Sequence, residues 1–296
     1  MPDQIRHAIL GAGGVGGLVA ACVAHNGAPV TMVVRREGLA EYPTQIHLDS
    51  TFGKFNASVA KAAEVPACDV LWITVKATQL EAALTSITIP DAVKAMVPLL
   101  NGTDHVALLR AKYGDEKIIP GTIAGEMERV APGRFVHPSP FGRLHVLSTG
   151  KSLLGPTVEG LQKLGFECRF IDHEPTLMWG KLVFLAPFAL ATTAAGATVG
   201  EVLGNPEWRQ LAFGVVREAC AVAVAEGAKV DAEAVIAGSG KYPHGMRSSM
   251  QKDVEKGNPP ELDAIAGPIL RGAARYSMAA PATRKLVEII EQKTRK

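Results

Sequence analysis

The chain is poor in the residues that would staple it, anchor it or let it coat a polyanion. Its 296 residues include only four cysteines, Cys22, Cys68, Cys168 and Cys220, far apart and set among apolar neighbours. With no CxxC pair and no histidine at ligand spacing, neither a disulfide framework nor a metal site is implied. Buried free thiols in a reducing, cytoplasmic compartment are expected instead. Neither sign of charge is in surplus: 31 Lys and Arg oppose 29 Asp and Glu, with the basic residues scattered. That pattern points to no nucleic-acid partner and no membrane surface. Repeats and low-complexity linkers are missing, and glycines break up the first apolar stretch, which therefore does not read as a signal peptide. One uncharged run, residues 182–200, is long enough to span a bilayer. Its Pro187, Thr192, Thr193 and Thr198, its many alanines and the lack of a second such run favour a buried core helix.

What the chain does have is a large apolar fraction, 47%, in a length that suits two domains. Short apolar runs at 5–10, 29–34, 70–75, 95–100 and 117–123 read as buried strands. Helical stretches lie between them, such as LVAACVAHNG ending at Gly27 and 78–87. Strands alternating with helices imply a parallel, doubly wound sheet. After about residue 130 the strands become shorter, with an antiparallel look in RFVHP and FGRLHVL, and 166–171 is the last. Beyond Glu174 the pattern is helical, with long apolar faces at 208–227 and 261–276. The expected organisation is an α/β domain over residues 1–173 and an all-α domain over 174–296, joined by a tight hinge near 172–175.

Gly11-Ala12-Gly13-Gly14-Val15-Gly16 is a GxGxxG that follows the first strand and opens a helix. The first glycine permits a tight turn, the second lets backbone approach a pyrophosphate, and the third lets helix and strand pack closely. In this strand–turn–helix setting it predicts a Rossmann-type, dinucleotide-binding sheet. Where an NAD-specific fold carries an acidic residue after the second strand, this chain has Arg35-Arg36. A carboxylate would repel a ribose 2′-phosphate and a guanidinium would bind it, so NADP(H) is the expected cofactor. Lys76, at the end of the third strong strand, is placed to reach the same phosphate; the alternative for all three cations is a solvated surface.

Four further positions bear chemistry. Asn101, with Gly102, follows a strand at the carboxyl edge of the sheet, where it can bind the cofactor by its carboxamide or hold a substrate oxygen; the alternative is an ordinary turn. Lys181 is the one charged residue between Glu174 and Glu201. An ammonium in such surroundings either snorkels to water or faces a polar cleft, where its pKa falls towards that of a general acid. Ser249 opens a helical SMQKD stretch. Glu261 follows Pro259-Pro260 at a helix start, where it either serves a site or only complements the helix dipole.

Together these segments resemble the ketopantoate reductase (2-dehydropantoate 2-reductase) family nearly end to end. The matching stretches are GAGGVGG, VVRREGL, DVLWITVKATQLEAAL, LLNGTDHVALL, WGKLVFL and SSMQKDVEKGNPPELDAIAGPI. The resemblance implies a Rossmann domain plus a helical domain, with the active site between them, and NADPH-dependent reduction of ketopantoate to pantoate in pantothenate biosynthesis. It implies that Arg35 and Lys76 hold the 2′-phosphate, that Lys181 and Glu261 are catalytic, and that Asn101 and Ser249 bind substrate. A small oxo acid is the expected partner, and a homodimer is compatible with the alanine-rich helical half. Where the family carries three asparagines after the catalytic lysine, this chain has Leu185, Ala189 and Val199. That change makes a same-fold NADP-dependent dehydrogenase of another oxo or hydroxy acid an alternative; a non-catalytic NADP(H)-binding protein is a separate one.

Overall fold

The computed structural model describes residues 4–295, and these divide into two compact units. One runs to Leu100 and resumes over His105–Asp172. The other joins Asn101–Asp104 to the chain from His173 onward. Four residues from the middle of the α/β half thus cluster with the helical half.

The strands of the first unit, in chain order, are β1 (His7–Leu10), β2 (Val30–Val33), β3 (Gln45–Ser50), β4 (Gly53–Ser58), β5 (Ala60–Ala62), β6 (Val70–Ile73), β7 (Ala95–Pro98), β8 (Gly121–Ala124), β9 (Glu128–Ala131), β10 (Arg134–His137), β11 (Arg143–Leu147) and β12 (Glu167–Ile171). Its α-helices are α1 (Gly14–His25), α2 (Leu80–Ser86), α3 (His105–Tyr113) and α4 (Lys151–Lys163). The principal sheet is parallel in the order β5-β2-β1-β6-β7. Every residue of β1, β6 and β7 is buried, because a parallel sheet covered on both faces needs apolar side chains on both. Between β1 and β6 the strand order reverses direction, which opens a crevice at the carboxyl edge. Helix α1 buries Gly16 to Val23 without a break, so it is a core helix rather than an amphipathic one. It ends at His25, and the chain turns away at Gly27, whose φ of +89° suits a residue without a Cβ.

Two smaller sheets depart from the sequence expectation. The stretch expected as a strand at 117–123 does not extend the parallel sheet. Ile118 makes one isolated parallel bridge to Met96, and beyond Pro120, which has no amide to add to a ladder, β8 pairs antiparallel with β11. The strands after residue 130 are mixed: β10 runs parallel to β3 and antiparallel to β9, and β11 runs parallel to β12. The β3–β4 hairpin has no counterpart in the sequence reading. Its buried face carries Ile46, Leu48 and then Ser50, and that serine disguises the two-residue period.

The second unit holds α5 (Glu174–Ala195), α6 (Val199–Gly204), α7 (Pro206–Ala225), α8 (Ala232–Gly238), α9 (Ser249–Glu255), α10 (Leu262–Arg275) and α11 (Pro281–Thr294). Helix α5 is long and apolar enough to cross a membrane, but 72% of its most apolar 18-residue window is buried inside the protein. It is the core helix of this unit. Leu182, Val183, Ala186 and Leu190 pack against Val215, Val216, Ala219 and Val222 of α7 and Ile269 of α10. At its far end Gly196, with φ +69°, turns the chain into α6. Thr198 and Glu201 then close a capping box at the start of α6.

Candidate active site

In the first unit, β2, β1 and β6 end side by side, because Leu10 is in register with both Val33 and Ile73. The glycine turn leaves β1 at this edge. Gly11 has φ +113°, and a Cβ there would stand 2.8 Å from the Val75 amide nitrogen. The Thr74 hydroxyl lies 3.0 Å from the Leu10 carbonyl and 2.9 Å from that of Gly11, pinning the turn. Side chains at Gly14 and Gly16 would drive into the Met127 and Gly11 carbonyls respectively, so both are sites of close backbone packing. Gly13 differs, since a Cβ there would meet nothing within 4 Å. Open space over Gly13, and a helix start with no side-chain cap, fit the pyrophosphate of a dinucleotide. Val15 is half-buried in the first turn of α1.

The cations flank this loop. Arg35 is exposed two residues past β2, and half-buried Lys76 stands three residues past β6 on the other side of β1. Arg36 is also exposed and pairs with Glu64 at 3.2 Å.

The second unit brings together three residues that are 80 and 160 positions apart. Lys181, on the second turn of α5, donates from Nζ to Asn101 Oδ1 at 2.9 Å. Asn101 Nδ2 in turn donates to Glu261 Oε2 at 3.0 Å. The ammonium can only donate and the carboxylate can only accept, so the amide has one consistent orientation, its oxygen towards Lys181. Burial pushes the Lys181 pKa down from 10.5 to about 8, while the Glu261 carboxylate pulls the other way. An ammonium poised there can hand a proton to a nearby oxygen near neutral pH and recover it.

Two features hold Asn101 in place. Gly102 has φ +84°, and a Cβ on it would collide with the Ala264 carbonyl of α10. The Asn-Gly pair therefore marks a close approach of the 101–104 segment to α10 rather than a free turn. Arg271 of α10 fastens the same segment, bonding Asp104 and, at 2.6 Å, Asp263 Oδ1. Glu261 precedes the first turn of α10 and is only 6% exposed, yet its side chain makes no capping bond to that helix. Its carboxylate is directed to Asn101 instead.

Ser249 is exposed at the first position of α9. The residue before it, Ser248, is 2% exposed, accepts from the Gln251 amide as the helix cap, and lies at hydrogen-bond distance, 3.0 Å, from the Thr192 hydroxyl of α5. Ser248 is visible in the sequence only as a member of the cluster around Ser249, and Thr74 does not stand out, since a threonine beside a motif carries no pattern of its own. Of the three positions that differ from the family asparagines, Ala189 is in the helical core and Leu185 packs against it. Val199 is buried at the start of α6 and lines an apolar pocket.

Comparison with known proteins places these features in company. The family model described as ketopantoate reductase PanE/ApbA matches residues 7–147, and its C-terminal companion matches residues 176–294. A 2-dehydropantoate 2-reductase of Caulobacter vibrioides is 30% identical over 302 residues, covering 96% of this chain and 97% of its own. The crystal structure of a 2-dehydropantoate 2-reductase from Geobacter metallireducens superposes with a TM-score of 0.84 at 25% identity, over 97% of this chain and 99% of that one. A D-mandelate dehydrogenase, solved with NADH and anilino(oxo)acetate, superposes at 0.85 with 20% identity over 98% of each chain, a likeness of fold.

Proposed function

The chain belongs to the ketopantoate reductase family of oxidoreductases, and on that premise we propose that it reduces the 2-oxo group of a small 2-oxo acid with NADPH. The observation that carries this reading is the Lys181–Asn101–Glu261 relay, in which a lysine with a pKa brought to about 8 faces a fixed acceptor. When bound, the cofactor supplies a hydride, and its two electrons, to C2 of the acid. The proton that completes the hydroxyl comes from Lys181 Nζ, whose positive charge also meets the alkoxide as it develops. The balance is 2-oxo acid, NADPH and one proton giving 2-hydroxy acid and NADP⁺. Asn101 and Glu261 orient the ammonium and favour its charged form, and exposed Ser249 at the head of α9 meets the substrate's polar end.

The preference for NADPH rests on Arg35, with Lys76 on the opposite flank of the glycine turn and Arg36 beside it. No carboxylate takes the place directly after β2. Ketopantoate, whose reduction gives several curated relatives their name, is the reference substrate and ties the reading to pantothenate biosynthesis. The same fold houses a D-mandelate dehydrogenase, so the fold alone does not choose the acid. A homodimer through the helical unit, where Val224, Tyr276 and Met278 are exposed, belongs to the same proposal and is read out by light scattering.

The decisive experiment is NADPH oxidation by wild-type and Lys181→Ala protein across ketopantoate and a set of other 2-oxo acids, with an NADH control. Lys181→Ala should lose about 10²–10⁴-fold in turnover, the usual contribution of a positioned acid, with NADPH affinity unchanged. Near-normal turnover by the variant would remove Lys181 from the chemistry. Tight NADPH binding with no turnover of any acid by the wild type would favour the non-catalytic alternative.

A further inference from the structure

The helical unit contains a pocket of about 40 Å³. Phe184, Phe188 and Thr192 of α5 form one wall, and Val199, Val235 and Tyr242 are among the residues that close it. Phe184 and Phe188 lie three and seven residues after Lys181, on the same face of α5, so the pocket begins about one turn, roughly 5 Å, along the axis from the lysine. Its far wall reaches the other polar end of the site. Thr192 bonds Ser248, the neighbour of Ser249, and the Val199 and Gly200 amides bond the Met246 and His244 carbonyls just upstream. The lining therefore runs from the helix turn after Lys181 to Thr192, the hydrogen-bond partner of Ser248.

Its lining is mostly aliphatic and aromatic, with hydroxyls from Thr192, Ser239 and Tyr242. The Thr192 and Ser239 hydroxyls are donated to the Phe188 and Ile236 carbonyls. Val199 stands where the family resemblance places an asparagine. The Phe184 and Tyr242 rings pack edge to face at 4.9 Å, giving the pocket a stiff aromatic corner. A water needs about 10–15 Å³ by this kind of measure, so the space holds roughly three atoms of water size, about an isopropyl group.

We infer that this pocket takes the side chain of the substrate, and that the substrate is a 2-oxo acid with a branched aliphatic side chain carrying no hydroxyl. The inference rests on the 2-oxo acid reductase reading above and specifies its substrate. A hydroxyl pressed against Val199 and Val235 would lose water without gaining a partner, which disfavours ketopantoate relative to its deoxy analogue.

The test compares kcat/KM of the NADPH-loaded protein for 4-methyl-2-oxopentanoate, 3,3-dimethyl-2-oxobutanoate, ketopantoate and pyruvate. The two branched acids should exceed pyruvate by about 10–200-fold, the range that methylene groups contribute in an apolar pocket, and should exceed ketopantoate by at least about tenfold. A second arm uses Val235→Asn at the half-buried wall, with NADPH affinity as the check on folding. This variant should lose about tenfold on the branched acids and little on pyruvate. Equal or better use of ketopantoate by the wild type, or a uniform loss across all acids in Val235→Asn, would overturn the substrate assignment and leave the reductase reading standing. Silence towards every acid would bring down both.

Discussion

At the scale of single residues, the feature that matters most is a lysine whose charge is contested. Burial disfavours the Lys181 ammonium and Glu261 supports it, leaving the pKa at about 8. In the proposed role the protonated form is the proton donor, so kcat for reduction should be level below about pH 8 and fall about tenfold per unit above it. Oxidation of the 2-hydroxy acid needs the neutral amine and should rise over the same range. Reduction that stays level to pH 10 would show that Lys181 is not the donor. The sequence singled out Lys181 for a physical reason, a lone charge in an apolar stretch, but left snorkelling open. The 2.9 Å bond to Asn101 answers that, since the side chain is turned into a polar cluster. Glu261 was also ambiguous, because an acid at a helix start is normal for dipole reasons alone. Only the path of its side chain to Asn101 separates the two readings.

At the scale of elements, the site depends on a short segment held against a helix. Residues 101–104 follow the strand that ends at Pro98, yet they pack on α10 through Gly102 and through the Asp104–Arg271 pair. Gly102→Ala must accommodate both a positive φ and a Cβ aimed at the Ala264 carbonyl. We expect it to lower stability by about 1–3 kcal/mol and to lose activity beyond that loss, because Asn101 moves with the segment. Chemical denaturation and turnover on the same samples test this; a fully active variant would mean the close approach has no bearing on Asn101. The long core helix is a further case where local signals needed context. The composition of α5 suits a membrane, and burial against α7 and α10 is what makes it a core helix.

At the scale of the whole molecule, acid stability should be set partly by a buried histidine. His7, 2% exposed, accepts a 3.0 Å hydrogen bond from the Trp72 indole at Nδ1, which requires that nitrogen to be unprotonated. Burial lowers its pKa from 6.5 to about 4, against the opposing pull of Asp69. Between those values the unfolded chain holds a proton that the folded chain does not. Stability therefore rises with pH across the window and is lost as pH falls from about 6.5 to 4, by roughly 3 kcal/mol. His7→Gln, which can still accept from Trp72, should flatten that limb of a stability–pH curve. An unchanged limb would assign the acid sensitivity to other groups. The four thiols fit the same picture of a dry interior: all are free and buried, and burial pushes their pKa values up to about 11–12.

The sequence by itself determined the dinucleotide loop, the parallel sheet around it and the helical second half. Each is written in contiguous residues, as glycines at fixed offsets, apolar runs of strand length and a period near 3.6. It could not determine what sits across from what. That 101–104 clusters with the helices, that Glu261 serves Asn101 rather than its own helix, and that β8 leaves the parallel sheet at Pro120 all depend on partners 25 to 160 residues away. The apolar pocket is the same kind of fact. Phe184, Val199, Val235 and Tyr242 are ordinary hydrophobic residues along the chain, and they become a cavity only where packing leaves a gap between helices. Local patterning selects elements, but contacts between distant residues are chosen by how those elements fill space, and the chemistry of this site resides in those contacts.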